Sequence, residues 1–461
     1  MTTNQPKESS AERKDATVPA VSRCLPNGTM VELLYNAAER TTKFALWRDG
    51  QWTLESEVEV QPGERLVPFS PNNNIIKNDV VMLPSEPAEY GTKEALLADI
   101  QHFLHRYLDI SPTFEAIVSH YVLFTWVYDA FNEVPYIRFQ GDFGTGKTRA
   151  LLVLGSVCYK AFFASGASTV SPLFHILDAF RGTLILDEAD FRFSDEKAEI
   201  VKILNNGNVK GIPVLRTMVN RQREFNPQAF QVFGPKIVAM RSSYDDRALE
   251  SRFLTEVMGT APLRSDIPIN LSSALREEAL VLRNKLLLFR FRNRHSIRTE
   301  GGSPVEGVSA RISQILMPLL NIVDDEVARS AILGMATTAH ESTVAERGLS
   351  TEAQLLEIIR ELAGEANKEA VPIQDIAARF ASRFSAEYER PITPRWIGAV
   401  LRRRLHLAPY KSHGRYVVSV VDRAKLATLY DRYGLAAEGE VPAAPGERDG
   451  GQGDVGTTPA T

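Results

Sequence analysis

The residues with the plainest chemistry are Gly141-Asp142-Phe143-Gly144-Thr145-Gly146-Lys147-Thr148, a GxxxxGK[ST] run between the apolar stretch PYIRFQ and the helical pattern RALLVLGS. Glycines at those offsets let a short loop curl until successive backbone N–H groups point inward, and the helix that follows adds the positive end of its dipole. Such a cradle binds phosphate oxygens. Lys147 is placed to reach the β and γ phosphates of ATP, and Thr148 to offer its hydroxyl to Mg2+.

A second group follows at Thr183-Leu184-Ile185-Leu186-Asp187-Glu188-Ala189-Asp190, a short apolar strand ending in carboxylates. A magnesium ion held by one threonine hydroxyl and two phosphates needs an acidic partner at the end of a neighbouring strand, and Asp187 fits that need. Glu188 is then the candidate base that orients the attacking water. Alone, the two carboxylates read equally well as a solvated strand end; the phosphate loop gives them a task.

These groups need a scaffold, and residues 134–262 supply its rhythm. Short apolar runs (PYIRF, TLILD, KIVAM) alternate with helical ones (RALLVLGSVCYKAFF, KAEIVKILNN), the pattern of an α/β core built on a parallel sheet. Residues 23–90 hold β-branched, alternating segments (MVELLYN, TKFALWR, QWTLESEVEV) and predict a small β-rich module. Residues 91–133 predict a helical connector, with Thr92 capping one helix and Pro112 opening another. Residues 263–368 have helical periodicity throughout and predict a helical lid subdomain; residues 369–433 predict a compact helix, helix and strand-pair domain. The ends, 1–22 and 434–461, are polar or rich in Gly, Pro and acid, and are expected to be disordered tails.

Composition narrows the function. The 461 residues carry 53 basic and 57 acidic side chains, a net charge of −4, which excludes generalised electrostatic adhesion to nucleic acid. The two cysteines, Cys24 and Cys158, lack zinc-ligand spacing and cannot form a disulfide framework. The apolar runs at 116–128 and 161–177 are too short or too interrupted for the ~20 residues a bilayer needs, and the first residues lack the apolar stretch of a secretory signal. A cytoplasmic protein without membrane contact is expected.

Residues 134–259 resemble the AAA+ class of P-loop ATPases, with GDFGTGKT as the Walker A and LILDEAD as the Walker B motif. The DEAD spelling is incidental, because the other motifs of DEAD-box helicases are not recognisable. The resemblance implies ATP and Mg2+ as cofactors and self-association into a ring, a hexamer. It also implies that KIVAMRSS is the sensor 1 strand, ending near the γ-phosphate in Arg241, Ser242 or Ser243, with Ser242 taken as the nucleotide contact. The segment Asp245-Asp246-Arg247-Ala248-Leu249-Glu250-Ser251-Arg252-Phe253 is similar to the stretch in which replicative AAA+ helicases carry an arginine finger. By that likeness Arg252, or failing it Arg247, enters the neighbouring subunit's site; the plainer alternative is a surface pair between Arg252 and Glu250. Arg311 is the candidate sensor 2 arginine, or else a solvated residue at a helix start.

Two segments have the character of nucleic-acid contacts. Strand-like runs around a basic turn place Lys210, Arg216, Arg221 and Arg223 where superfamily 3 and minichromosome-maintenance helicases carry a pore hairpin; an exposed hairpin without a ligand is the bland alternative. Residues 371–433 carry twelve Lys or Arg against five acids, opposite in sign to the chain as a whole. Their order of helix, helix and strand pair is that of a winged helix, with Arg395, Arg402, Arg403, Arg404, Lys411 and Arg415 as a candidate phosphate footprint. Winged helices also dock proteins, so both uses stay open. The late helices and this segment also resemble the C-terminal region of ATPases from phage and integrative elements, some attached to primases; a primase acidic cluster is not evident.

The reading is an ATP-hydrolysing AAA+ motor on single-stranded or forked DNA, a helicase or replication-initiation ATPase of a phage or mobile element. Its alternative is a nucleotide-switched DNA-binding regulator or adaptor, in transposition, partition or defence, that does not unwind.

Overall fold

The computed structural model describes residues 16–165, 168–187, 195–219, 225–244, 246–260, 263–297, 305–348, 350–364, 368–385 and 391–435. They form two compact units, Met1–His340 and Glu341–Thr461.

The first unit opens with strands β1 (Ala16–Ala20), β2 (Ser22–Cys24), β3 (Met30–Asn36), β4 (Thr41–Arg48), β5 (Gln51–Glu55), β6 (Val58–Gln61) and β7 (Glu64–Pro68). An antiparallel meander runs β2-β3-β4-β5, and a smaller sheet runs β1-β7-β6 with β1 parallel to β7. The module therefore begins by Ala16 and not at Arg23. The expected tail to residue 22 was too long because a short strand without strong alternation gains its place from pairing with β7 and from burying Ala20 and Val21. Three helices follow: α1 (Asn74–Lys77), α2 (Lys93–Tyr107), capped by the Thr92 hydroxyl on the Ala95 N–H, and α3 (Pro112–Thr125), capped by Ser111 with proline in its first turn.

The centre holds β8 (Tyr136–Gln140), α4 (Lys147–Gly155), β9 (Phe162–Ala164), α5 (Val170–Phe180), β10 (Leu184–Leu186) and α6 (Asp195–Asn206). A hairpin of β11 (Val214–Val219) and β12 (Phe225–Phe230) precedes β13 (Lys236–Met240), α7 (Arg247–Glu250) and β14 (Phe253–Val257). Five strands form one all-parallel sheet in the order β14-β8-β13-β10-β9. Its inner strands are mostly apolar because both faces are covered: every residue of β10 and β13 is buried, Lys236 included. The α/β class expected for this segment is what the chain adopts.

The helices α8 (Ser273–Asn293), α9 (Ala310–Leu320) and α10 (Glu326–Gly348) come next, the last running across the division between the units. The division between the two units falls at His340/Glu341, inside the 263–368 span read as a lid, so α8 and α9 lie in the first unit. Helix α8 is a strut of the first unit: Arg283 donates to the Leu83 and Ser156 carbonyls (3.1 and 2.6 Å), and Asn284 Oδ1 accepts from the Ser85 N–H (3.0 Å). Arg290 bonds Glu32 of β3 at 2.8 Å and Asp129 at 2.7 Å, while Trp47 of β4 stacks on Phe291 at 5.5 Å. Lys160, just past α4, closes on the other Glu32 oxygen, Oε2, at 2.8 Å, and the Tyr159 hydroxyl donates to Oε1 at 2.7 Å. One buried charge cluster thus ties the β-rich module, the segment just past α4 and α8 together.

The second unit consists of α11 (Thr351–Gly364), β15 (Ala370–Pro372), α12 (Ile373–Phe384), α13 (Pro394–Arg403), β16 (Tyr410–Ser412), β17 (Arg415–Ser419) and α14 (Arg423–Arg432). Its sheet is antiparallel in the order β15-β17-β16. Helix α11, assigned to the lid by its position in the chain, belongs here. Its stripe of Leu355, Leu356, Ile359 and Leu362 shares one core with Ile376, Phe380, Ile397, Leu401 and Val418, so a domain beginning at 369 would leave that stripe bare.

Candidate nucleotide site and basic surfaces

Strand β8 ends at Gln140, the loop occupies 141–146, and α4 starts at Lys147. Gly144 and Gly146 have φ of +76° and +88°, the left-handed region a side chain disfavours. Gly141 is required by closeness: a Cβ there would lie 2.8 Å from Thr145 Oγ1 and 2.9 Å from the Met258 carbonyl oxygen. The loop fastens itself, with the Thr145 hydroxyl donating to the Asp142 carbonyl and the Phe143 N–H to Asp142 Oδ1, both at 2.9 Å. The Met258 N–H donates to the Gln140 carbonyl (2.7 Å), so the end of β14 walls one side.

Lys147 Nζ donates to the Gly141 and Asp142 carbonyls at 2.9 and 2.7 Å, folded back across the loop. Thr148 Oγ1 donates to Asp187 Oδ2 at 2.8 Å. Asp187 directly follows β10, one strand beyond β13 from the loop, and its own N–H donates to the Ala164 carbonyl at 2.9 Å. Loop, ammonium, hydroxyl and carboxylate therefore meet at the carboxyl ends of parallel strands, where ligands of open α/β sheets sit. A hard cation seeking oxygen donors finds a hydroxyl and a carboxylate already adjacent, so the residues fit magnesium. Beyond the end of β13, Arg241 lies 5.2 Å from the ring centroid of Phe143, which is 82% exposed, and Ser242 is exposed beside it. Glu188 lies outside the described residues.

Arg252 stands at the other edge of the sheet. Its carbonyl accepts the Tyr136 N–H (2.8 Å) where β8 and β14 begin, so the five residues of β8, roughly 15 Å of strand, separate it from the 141–146 loop. The residue is only 7% exposed, and its guanidinium donates to Asn205 of α6. Burial lowers its pKa, and the nearby positive charge of Arg311 acts in the same direction. The surface pair with Glu250 does not form, because Glu250 is taken by Arg138 at 2.6 Å. Arg311 donates to the Ala248 carbonyl of α7 (3.0 Å), so it too is brought to this far edge and not to the 141–146 loop. The Arg247 side chain lies outside the described residues.

The hairpin pairs Val214 with Phe230 through Val219 with Phe225. Arg221 and Arg223, which lie between the two strands in the sequence, fall outside the described residues. Arg216 is held at the base, 3.4 Å from Glu199 and 4.6 Å over the Phe174 ring, and Lys210 donates to the Asp129 carbonyl at 3.1 Å.

In the second unit the cations divide. Arg404 pairs with Glu352 at 2.8 Å, and Arg379 and Arg383 share Glu361 at 3.5 and 2.8 Å, so the side toward α11 is neutralised. Arg395, Arg402, Arg403, Lys411 and Arg415 are exposed and have no partner among the described residues. Arg395 and Arg402, seven apart, lie along one line of α13, opposite the buried Ile397, Val400 and Leu401. Sequence reasoning counted the arginines; it missed the exposed tyrosines Tyr410 and Tyr416 among them, for which alternation in a short hairpin is a weak signal.

No family model and no curated protein matches the chain. Among solved structures it is similar to the apo A form of the NrS-1 C-terminal region, at 11% identity and a TM-score of 0.35, over 85% of this chain and 96% of that one. It is also similar to a JCV helicase bound to an acetamide compound, at 14% identity and a TM-score of 0.24, over 60% of this chain and 66% of that one. No described helix is long and apolar enough to cross a membrane.

Proposed function

We propose that this chain is an ATP-hydrolysing P-loop protein of the AAA+ type that works on DNA as a ring of subunits, a hexamer, as a helicase or replication-initiation ATPase of a phage or mobile element. The observation that carries the nucleotide half is the 2.8 Å bond from Thr148 Oγ1 to Asp187 Oδ2 beside the glycine loop and Lys147. The loop amides and the start of α4 would bind phosphate oxygens, while Lys147 exchanges the Gly141 and Asp142 carbonyls for the β and γ oxygens. Thr148 and Asp187 would hold Mg2+, which when bound neutralises charge on the transferring phosphate. Glu188, following Asp187 in the chain, is the residue we assign to orienting water.

The ring is supported by where the arginines stand. Arg252 and Arg311 lie across the sheet from their own loop, so any phosphate contact they make belongs to a second subunit, and Arg252 must leave Asn205 to make it. The DNA half rests on the hairpin and on the unpartnered cations of the second unit, whose order of helix, strand, two helices and hairpin supports the winged-helix reading. The burial of Arg252 is also what favours the second reading, a nucleotide-switched regulator that assembles without rapid turnover.

Steady-state ATP hydrolysis with and without single-stranded and duplex DNA separates these readings. The motor predicts turnover that DNA raises severalfold and that Lys147→Ala abolishes. Tight ATP binding with slow turnover indifferent to DNA would instead establish the switch.

A further inference from the structure

The β16–β17 hairpin of the second unit has a composition the rest of that unit lacks. From Tyr410 to Tyr416 it reads Tyr-Lys-Ser-His-Gly-Arg-Tyr, without an acid, and it turns through His413 and Gly414, both at positive φ (+46° and +80°). A two-residue turn of that kind matches the twist of its strands and holds the hairpin in one register. Tyr416 is 61% exposed and Tyr410 45%, and neither ring packs against another described aromatic or cation. A tyrosine left in water on a strand with no ring partner is an unused apolar surface with a polar rim.

Register sorts these side chains. Lys411 lies directly opposite Tyr416, and both share the face of Val418; Tyr410 lies opposite Val417 and shares the other face with Arg415. Each face of the hairpin therefore offers one ring beside one unpaired cation. Next to it in the sequence, Arg395, Arg402 and Arg403 of α13 are likewise unpaired, whereas Arg379, Arg383 and Arg404 are neutralised by Glu361 and Glu352. Cations alone would suit any polyanion. Rings flanked by cations suit one whose bases are unstacked, because a tyrosine cannot stack on bases inside a closed duplex.

We propose that the β16–β17 hairpin is a base-stacking element for single-stranded DNA, with Tyr416 and Tyr410 as the stacking surfaces and Lys411 and Arg415 on the adjoining phosphates. This rests on the reading of the chain as a DNA-acting protein and adds which strand form the second unit takes and through which residues.

The test uses the full chain without nucleotide, titrated into labelled oligo-deoxythymidine and, separately, a blunt duplex, over a range of salt. Tyr416→Ala should weaken single-strand binding on the order of tenfold with the salt dependence unchanged, and leave duplex binding as it was. Tyr416→Phe, which keeps the ring, should bind like the parent, showing that the alanine variant's loss is not misfolding. Irradiation of an oligonucleotide carrying 5-iododeoxyuridine should crosslink to Tyr416 or Tyr410. If Tyr416→Ala and Tyr410→Ala both bind the single strand normally while the Arg395, Arg402, Lys411 and Arg415 alanine variant does not, stacking is overturned and DNA binding survives. Equal loss on duplex and single strand, or crosslinks only elsewhere, overturns stacking too. A parent chain that binds neither DNA removes both this proposal and the DNA reading beneath it.

Discussion

Thr148 and Asp187 illustrate what single residues in a sequence can disclose. A phosphate loop is legible because its glycines report backbone geometry directly: Gly144 and Gly146 do sit at positive φ, and Gly141 has no room for a Cβ. Asp187 is legible because a short apolar run fixes where its strand ends. Arg252 and Lys236 were not, since burial of a cation depends on partners the local text does not mention. Lys236 reads as a strand start, yet it is wholly buried and donates to the Val232 and Gly234 carbonyls at 2.9 and 2.8 Å, with burial driving its pKa down. Asp187 supports a clean prediction. Asp187→Asn keeps the side chain's size and one acceptor but removes the charge that would hold magnesium, so phosphate binding by the loop should persist while Mg2+-dependent turnover falls on the order of a hundredfold or more. Equilibrium binding of a fluorescent ATP analogue, with and without Mg2+, beside a turnover assay checks this; parent-like turnover would remove Asp187 from the metal site.

Helix α8 shows the limit of reading elements. Its 3.6-residue period was plain, but the arginines of RNKLLLFRFRNR look like the solvated face of a lid helix. In the fold Arg290 is buried, because Glu32, 258 residues away, and Asp129 come to meet it. No local pattern carries that distance. Burial alone would raise the pKa of Asp129, but Arg290 and then Arg294 overcome it and hold the carboxyl well below the usual carboxylate range. A carboxyl whose folded pKa is depressed stabilises the fold fully above its unfolded value, near 4, and loses that contribution as pH falls through the folded one. Asp129→Asn should therefore cost about 2 kcal/mol of unfolding free energy at neutral pH, and its difference from the parent should shrink steadily below about pH 4. Urea unfolding at several pH values checks both. A penalty that stays constant into acid would mean that packing, not charge, makes this joint.

At the scale of the whole molecule, the placement of the arginines would constrain how copies meet in the proposed assembly. The phosphate loop lies at the carboxyl edge of the parallel sheet and Arg252 at the amino edge, so a shared site requires unlike surfaces to face each other. A repeated head-to-tail contact of that kind gives a ring where the rotation closes and an open filament where it does not. Lys147→Ala leaves the arginine edge intact, and Arg252→Ala leaves the loop intact. Each variant alone should be inactive, for every interface lacks one half. In an equal mixture, a productive interface needs the loop from an Arg252→Ala subunit and the arginine from a Lys147→Ala neighbour, which random assembly provides at about a quarter of interfaces. Recovery toward about a quarter of parental ATPase activity on mixing would mean that Arg252 leaves its buried place beside Asn205 when subunits meet. No recovery, with Arg252→Ala alone still active, would mean that the residue only holds α6 to the start of β14 and that the shared site, if there is one, takes its positive charge from another part of the amino edge.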